Sequence, residues 1–549
     1  MQAIMIALSK KDQAKPMQTT SSFYQRPLAL GIELGSTRIK CILIDASGKV
    51  LSTGIFQWEN RFENNYWIYS LEEAMQGISA SYLAMKHDFD KNVGFALEKI
   101  EYIGVSAMMH GFLALDNQNR LLAPFRTWRN NNAEDAARLL SNVFGFHVPA
   151  RWSCAHLYQA ARQHETFVPN IAHLLTLSAY INMKLCGTLG IGRDDASGMF
   201  PLDENGHYDA AMEQKEDALL KQEGYHLTME EILPQIYPVA ESVGSLTAEG
   251  ASLLDPEGDL LPGSLLCPPE GDAATGMIST NTIQVGSGNI SVGTSIFGSF
   301  ITDKKKLPRR DEVDIVATPE GLKATMIHCN NCTSGIDACA KLVKETLALF
   351  GAERSDDDIY DILFKAAYRN DGNNGALLAY NYLSGENITQ VKDGALLLAS
   401  SERSNLSISN LMVTEFFSTF ASFALGVDLL AKDGIVPKEI IVHGGLFKTP
   451  KVAQSFLASI LDKQISLNPS ASEGGAWGMA LLGLYLAYAK RYSLSEFLAE
   501  VPFKDVSLLI EEPSQGLHDR FLSFQKMYLA CLTGEKAIGE GMVHSCSKN

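Results

Sequence analysis

From Leu28 onward the apolar residues fall into runs of strand length separated by short polar turns. The stretch LALGIELGSTRIKCILIDASGKVLSTGIFQW breaks at Gly35-Ser36-Thr37-Arg38 and again at Ala46-Ser47-Gly48-Lys49. It reads as three antiparallel strands joined by tight turns. Farther on, the apolar spacing predicts a helix over 71–85 and a buried strand over 102–107 that ends in Met108-Met109-His110-Gly111. Helices are expected over 134–143, 156–162 and 171–185. A second hairpin, GNISVGTSIFGSFI, begins at Gly288, and its Gly293-Thr294-Ser295 turn repeats the form of the first. A long helix over 409–431, a buried strand over 439–442, a helix over 452–461 and a Gly/Ala-rich helix over 474–489 complete the pattern. The picture is of two α/β domains, each opening with a glycine-turn hairpin.

Composition narrows the class. The chain has 549 residues, 46% of them hydrophobic and 20% charged, enough for two to four domains at ~150 residues each. A formal net charge of −17 argues against a general nucleic-acid binder, which would carry a basic stripe. Nine cysteines, scattered and odd in number, do not make a disulfide framework and point to a reducing compartment, the cytoplasm. No run of ~18 apolar residues exists, so no membrane helix is expected. The first 27 residues, with Lys10, Lys11 and Lys15, read as a disordered leader or an alternative start; their apolar stretch is too short for a signal peptide.

Three segments carry candidate chemistry. A phosphate needs several inward-pointing N–H donors, which glycine turns with hydroxyl side chains supply, and Gly35-Ser36-Thr37 and Gly293-Thr294-Ser295 both qualify. One such turn usually only reverses the chain. Two matched turns could face each other and hold one triphosphate, and no GxxxxGK[ST] loop is present to do so instead. In Pro269-Glu270-Gly271-Asp272-Ala273-Ala274-Thr275-Gly276, Asp272 stands at a helix start, either as a base that accepts a hydroxyl proton or as a plain helix cap. His443-Gly444-Gly445-Leu446-Phe447-Lys448 follows a strand, where a nucleotide often lies in an open α/β sheet, or where the chain merely turns. Cys329-Asn330-Asn331-Cys332 is a lone CxxC, a weak metal or redox signal. The cations at 304–310 read as a solvated loop, and the amphipathic stretch 521–532 as core or interface.

From about Leu28 to Ala489 the chain resembles the FGGY carbohydrate kinases. Gly31-Ile32-Glu33-Leu34-Gly35-Ser36-Thr37 is similar to the family's opening G-x-D-L-G-T/S-T/S hairpin, and Met108-Met109-His110-Gly111 to the Q-M-H-G of xylulokinases. Asp272 falls on the catalytic base of the G-G-D segment, Ser291-Val292-Gly293-Thr294-Ser295 on the second phosphate turn, and Gly444 to Pro450 on the adenosine segment. Ala476-Trp477-Gly478-Met479-Ala480 resembles the later A-L-G-A-A helix; 180–187 and Asp195-Ala196-Ser197-Gly198 match the family's middle stretch.

The resemblance implies two ribonuclease-H-like domains of the actin and hexokinase type around an interdomain cleft. They would span 28–275 and 276–500, with a helical extension over 501–549. It implies an ATP- and Mg²⁺-dependent kinase of a small sugar, a ketopentose such as D-xylulose or L-ribulose. Asp272 is then the base, and Met109, His110, Trp128 and Asn130 line the sugar. Gly35, Ser36, Thr37, Gly293, Thr294, Ser295, Gly444, Gly445, Lys448 and Gly475 hold the nucleotide, and Glu33 with Asp272 faces the metal. Neither nucleic acid nor membrane is an expected partner, and a homodimer is possible. The chain departs from the pattern at Glu33 (usually Asp), at Trp128-Arg129-Asn130 (usually W-x-D), at Leu446 (usually Gly) and at His156, near a position that is often Lys. Two alternatives share the fold: an actin- or chaperone-like ATPase, and a sugar-binding regulator with altered catalysis.

Overall fold

The computed structural model describes residues 26–94, 96–449, 451–468 and 474–546. The expected leader over 1–27 lies outside these apart from its last two residues.

The opening hairpins form as their alternation requires. β1 (Ala29–Leu34), β2 (Arg38–Ile44) and β3 (Val50–Gln57) pair antiparallel in sequence. The chain then crosses as helix α1 (Leu71–Val93), whose N-cap Ser70 accepts from the Glu73 N–H and whose end is set by Gly94 at φ 89°. It returns as β4 (Tyr102–Ala107), parallel to β1. After a largely helical excursion, β5 (Gly244–Ser245), β6 (Leu265–Leu266) and β7 (Glu270–Gly271) join the sheet, with β6 and β7 both alongside β4. The path is β3-β2-β1-β4-β6-β5.

The second sheet repeats the scheme. β8 (Ser287–Val292), β9 (Ile296–Thr302), β10 (Asp314–Ala317), β11 (Lys323–Cys329), β12 (Glu439–Gly444), β13 (Ile465–Leu467) and β14 (Leu509–Glu511) lie in the order β10-β11-β9-β8-β12-β13-β14. In both sheets a run of antiparallel strands, β3-β2-β1 in the first and β10-β11-β9-β8 in the second, leads into parallel ones, β4 and β6 in the first and β12 and β13 in the second. This is the ribonuclease-H-like arrangement, built twice.

Between the sheets lie α2 (Asp272–Ser279) and α5 (Gly474–Tyr485), while α3 (Ile408–Lys432), α4 (Val452–Leu461) and α6 (Gln515–Cys546) cover the second sheet. Only small residues allow the central approach. A Cβ on Gly31 would stand 1.8 Å from the Ala476 carbonyl oxygen, and one on Gly478 2.4 Å from that of Thr275. An apolar cluster joins Ile42 and Ile44 of the first sheet to Ile301 and Val316 of the second through Met277, Met479 and Leu482. Helix α3 is long and apolar enough to cross a membrane, yet most of it is buried in the second core, where Phe416, Phe417, Phe420 and Phe423 pack.

Some elements differ from expectation. The segment 171–185 is not one helix: His173–Leu175 pairs as a strand with Leu113–Leu115, and the helix begins at Leu177 because Thr176 caps it. The 501–549 extension contributes strand β14 to the sheet edge before α6, whose Phe521, Phe524 and Tyr528 enter the core.

Candidate active site

The candidate residues gather where parallel strands end. In the first sheet Leu34 pairs with Ala107 and Gly271 with Ala107, so three loops leave adjacent strands together: Gly35–Thr37, Met108–Gly111 and the start of α2 at Asp272. In the second sheet Val292 pairs with Gly444, so Gly293–Ser295 and Gly444–Lys448 leave side by side. Strand ends of this kind are where open α/β sheets bind ligands.

Each turn has a rigid back and an open front. The Trp58 Nε1–H donates to the Gly35 carbonyl at 2.7 Å, and the Tyr69 hydroxyl to that of Ser36 at 2.6 Å, with the two rings stacked. Ser36 and Thr37 stay exposed, as do Gly293, Thr294, Gly444, Gly445 and Lys448; Ser295 is half-buried. Gly444 has φ 119°, and a Cβ there would stand 2.0 Å from the Val292 carbonyl oxygen, so only glycine fits. Gly293 by contrast has room for a Cβ, whose nearest neighbour would be the Ser295 carbonyl oxygen at 3.9 Å. Leu446, where the family has a third glycine, is buried in the second core.

Glu33 and Asp272 stand at the junction of the domains. Glu33 Oε2 accepts the Ala476 N–H at 3.1 Å in the first turn of α5. Gly475 presses against the same carboxylate: a Cβ there would lie 2.4 Å from Oε1. Burial raises the Glu33 pKa, the Ala476 N–H opposes, and the Asp272 charge raises it further. Asp272 is exposed, and its Oδ1 accepts the Met109 N–H at 3.2 Å. The surrounding protein desolvates it enough to raise its pKa, against the N–H groups of Met109, Asp272 and Ala273 and the Arg151 charge. Mutual repulsion of two carboxylates is a setting that a hydrated Mg²⁺ relieves. Among the described residues no three His, Cys, Asp or Glu form a protein-only metal cage, so such an ion would need nucleotide oxygens to complete its shell.

The N-cap of α2 is Gly271, and the Ala274 N–H of its first turn goes to Asp194 Oδ2 at 3.1 Å. Asp272 is therefore the first residue of α2 rather than its N-cap, with the first-turn N–H groups of Asp272 and Ala273 near its carboxylate. A reciprocal contact braces it: Glu270 Oε2 accepts the Asp194 and Asp195 N–H groups at 2.9 and 3.3 Å. Asp195 in turn is held by Thr176 and Ser178. Glu270, pushed up to about 8, and Asp194 are raised chiefly by burial.

Met109 and His110 lie beside Asp272. His110 takes φ 70°, and its Nδ1 donates to the Gly198 carbonyl at 3.1 Å, leaving Nε2 as an acceptor. Burial and the Arg151 charge lower its pKa to about 3, so the ring is neutral. Trp128 is exposed. Asn130 departs from its expected role: Oδ1 accepts the Trp67 N–H, and Nδ2 donates to the Trp67 and Thr127 carbonyls, so the side chain is consumed in bracing the loop. His156 is buried beside Phe112, and burial lowers its pKa to about 3. Cys329 and Cys332 are buried with their thiols raised, the reverse of what thiolate ligands need.

Sequence reasoning passed over Arg151, Asp194 and Asp314. Asp195 and Glu270 stood within the matched motifs, but the Glu270 carboxylate reaches backbone N–H groups 75 and 76 residues away.

Comparison with known proteins agrees with this geometry. Residues 28–256 match the N-terminal domain model of the FGGY family of carbohydrate kinases, and residues 288–487 the C-terminal one. Xylulose kinase of Haemophilus influenzae is 22% identical over 469 residues, covering 81% of this chain and 89% of that protein. Gluconokinase of Bacillus subtilis is 22% identical over 480 residues, covering 83% and 87%. A solved xylulose kinase from Brucella ovis superposes with a TM-score of 0.74 at 20% identity, over 93% of this chain and all of that one. With both domain models matched across most of its length, the chain belongs to the FGGY family of carbohydrate kinases, phosphotransferases with an alcohol group as acceptor.

Proposed function

We propose that the chain transfers the γ-phosphate of ATP to a hydroxyl of a ketopentose, D-xylulose or L-ribulose, in the cytoplasm. The observation that carries this reading is the setting of Asp272: exposed, held by the Met109 N–H, beside a neutral His110, where three strand-end loops of the first sheet meet. The phosphates lie between Gly35–Thr37 and Gly293–Ser295, and the adenosine near Gly444, Gly445, Lys448 and Gly475. The Asp272 carboxylate takes the proton of the attacking hydroxyl, and its raised pKa makes it a stronger base than a free aspartate. His110 Nε2 accepts from a second sugar hydroxyl, and Met109 packs against the carbon chain. Glu33 would be the residue that faces a hydrated, nucleotide-bound Mg²⁺, which would supply charge neutralisation at the phosphates. The described cysteines are free thiols, which suits a reducing compartment.

A gluconate kinase is the second reading, because the Bacillus gluconokinase stands at the same identity as the Haemophilus xylulose kinase. ADP release measured with D-xylulose, L-ribulose, glycerol and gluconate separates the readings. Turnover with a ketopentose at least tenfold above the others is expected. Preference for gluconate would replace the substrate assignment, and ATP hydrolysis indifferent to every sugar would favour an actin- or chaperone-like ATPase.

A further inference from the structure

We propose that Trp58 and Tyr69 are positioning residues for phosphoryl transfer: from behind the first glycine turn they hold its carbonyls, so that its N–H groups face the nucleotide phosphates. This rests on reading Gly35–Thr37 as a phosphate turn. Three successive carbonyls of that turn are taken by one short stretch of chain. Gly35 accepts the Trp58 Nε1–H at 2.7 Å, Ser36 the Tyr69 hydroxyl at 2.6 Å, and Thr37 the Trp58 N–H at 3.2 Å. The two rings stack with centroids 4.3 Å apart, so these donors come from the same side. In a trans peptide the N–H points opposite to the carbonyl of the residue before it. Holding the Gly35 and Ser36 carbonyls back therefore turns the Ser36 and Thr37 N–H groups forward. Among the described residues no protein acceptor takes either N–H, and both residues are exposed. Two neighbouring N–H donors aimed the same way suit an anion, whereas a carbonyl swung into their place would repel a phosphate.

The strap 58–69 that bears both residues is pinned in its turn. Its small hairpin pairs Arg61–Glu63 with Tyr66–Ile68, and neighbouring Tyr66 and Trp67 project to opposite faces. An arginine covers each: Arg126 lies 4.1 Å from the Tyr66 ring centroid and Arg129 3.9 Å from that of Trp67. The Trp67 carbonyl accepts the Thr127 N–H at 3.0 Å, and its N–H goes to Asn130 Oδ1 at 2.8 Å. Arg129 Nη1 also donates to Asn60 Oδ1 at 3.1 Å, and the Asn60 amide bonds the Tyr69 hydroxyl. The phosphate turn, the strap and the loop 126–130 are thus tied into one block. Trp58 and Tyr69 themselves are buried, so they touch no substrate and act through the turn alone.

The test uses Tyr69→Phe and Trp58→Phe in the full chain, which keep an aromatic ring at each place and remove one donor each. Calorimetric affinities for ATP and for adenosine are measured, with thermal melts and steady-state kinetics alongside. A binding group misplaced by about an ångström can cost about 10²-fold. ATP affinity is therefore expected to fall about 10- to 100-fold, with a lower kcat at saturating ATP. Adenosine affinity and the sugar KM are expected to stay near wild type, because neither ligand meets the turn. In Tyr69→Phe the freed carbonyl belongs to an exposed residue, where water replaces the donor, so this variant folds and decides the matter if Trp58→Phe does not. Unchanged ATP affinity overturns the inference. So does a fall that ATP and adenosine share, which marks a general structural loss. Gly293→Val on the other turn separates the inference from the reading beneath it. If that variant weakens ATP binding while Tyr69→Phe does not, the phosphate placement stands and the positioning role falls; if neither weakens it, both fall.

Discussion

Glu33 serves two neighbours with one carboxylate. Its Oε2 caps α5 through Ala476 while the group stands close enough to Asp272 for repulsion. Glu33→Gln keeps an acceptor for the Ala476 N–H but drops the charge, so folding should survive. Loss of an outer-sphere partner typically costs about 10–100-fold in metal affinity or activity. Titration of kcat with Mg²⁺ should show that loss, and an unaltered Mg²⁺ curve would leave Glu33 with the helix alone. The two nucleotide glycines separate in the same way. Gly444→Ala must strain φ 119° and collide with Val292, so it should lower both melting temperature and ATP affinity. Gly293→Val meets only an ordinary contact with the Ser295 carbonyl at its Cβ, so the fold should hold and ATP affinity alone should fall. Nucleotide titration and thermal melts on both variants check this contrast.

At the scale of elements, the base depends on two short pieces that brace one another. Glu270 opens β7 and receives the first amides of the Arg193–Ser197 helix, while Asp194 in that helix receives an amide of α2. Glu270→Ala leaves two buried N–H groups without an acceptor, at about 1–3 kcal/mol each. It should lower both melting temperature and kcat, and Glu270→Gln should restore most of each. A kcat unaffected by the alanine would detach this brace from catalysis.

Strand pairs and glycine turns were legible in the sequence because alternation of period two and Gly-Ser-Thr punctuation are local signals. Glu33, Met109, His110 and Asp272 could be singled out as candidates because each lies in a short contiguous motif. Nothing local shows that the Asn130 amide turns back to Trp67. The Arg151–Asp314 pair spans 163 residues and joins two domains, so no window on the sequence contains it. Likewise the helix expected over 171–185 broke because Leu174 and Leu175 pair with a distant strand.

For the whole molecule, buried carboxyls set the response to pH. Burial pushes Glu415 and Glu386 of the second domain up to about 7, from an ordinary value of 4.5. Their neutral forms belong to the fold. The stability they lend is complete below about pH 4.5 and is lost as pH rises towards 7. Melting temperature should therefore decline across that window, and Glu415→Gln should flatten the decline. A variant with the wild-type slope would assign the effect elsewhere.

The central claim is that Asp272, standing where the two domains meet, accepts the proton of the sugar hydroxyl. Asp272→Asn tests it most directly, by steady-state turnover with the best sugar alongside a thermal melt. The asparagine keeps the shape and an acceptor for the Met109 N–H, while Asp194 retains the Ala274 N–H. The account predicts an unchanged melt, a near-normal sugar KM and a kcat lower by about 10²–10⁴-fold. Near-normal turnover with a lowered melting temperature would contradict it and leave Asp272 a purely structural residue of α2.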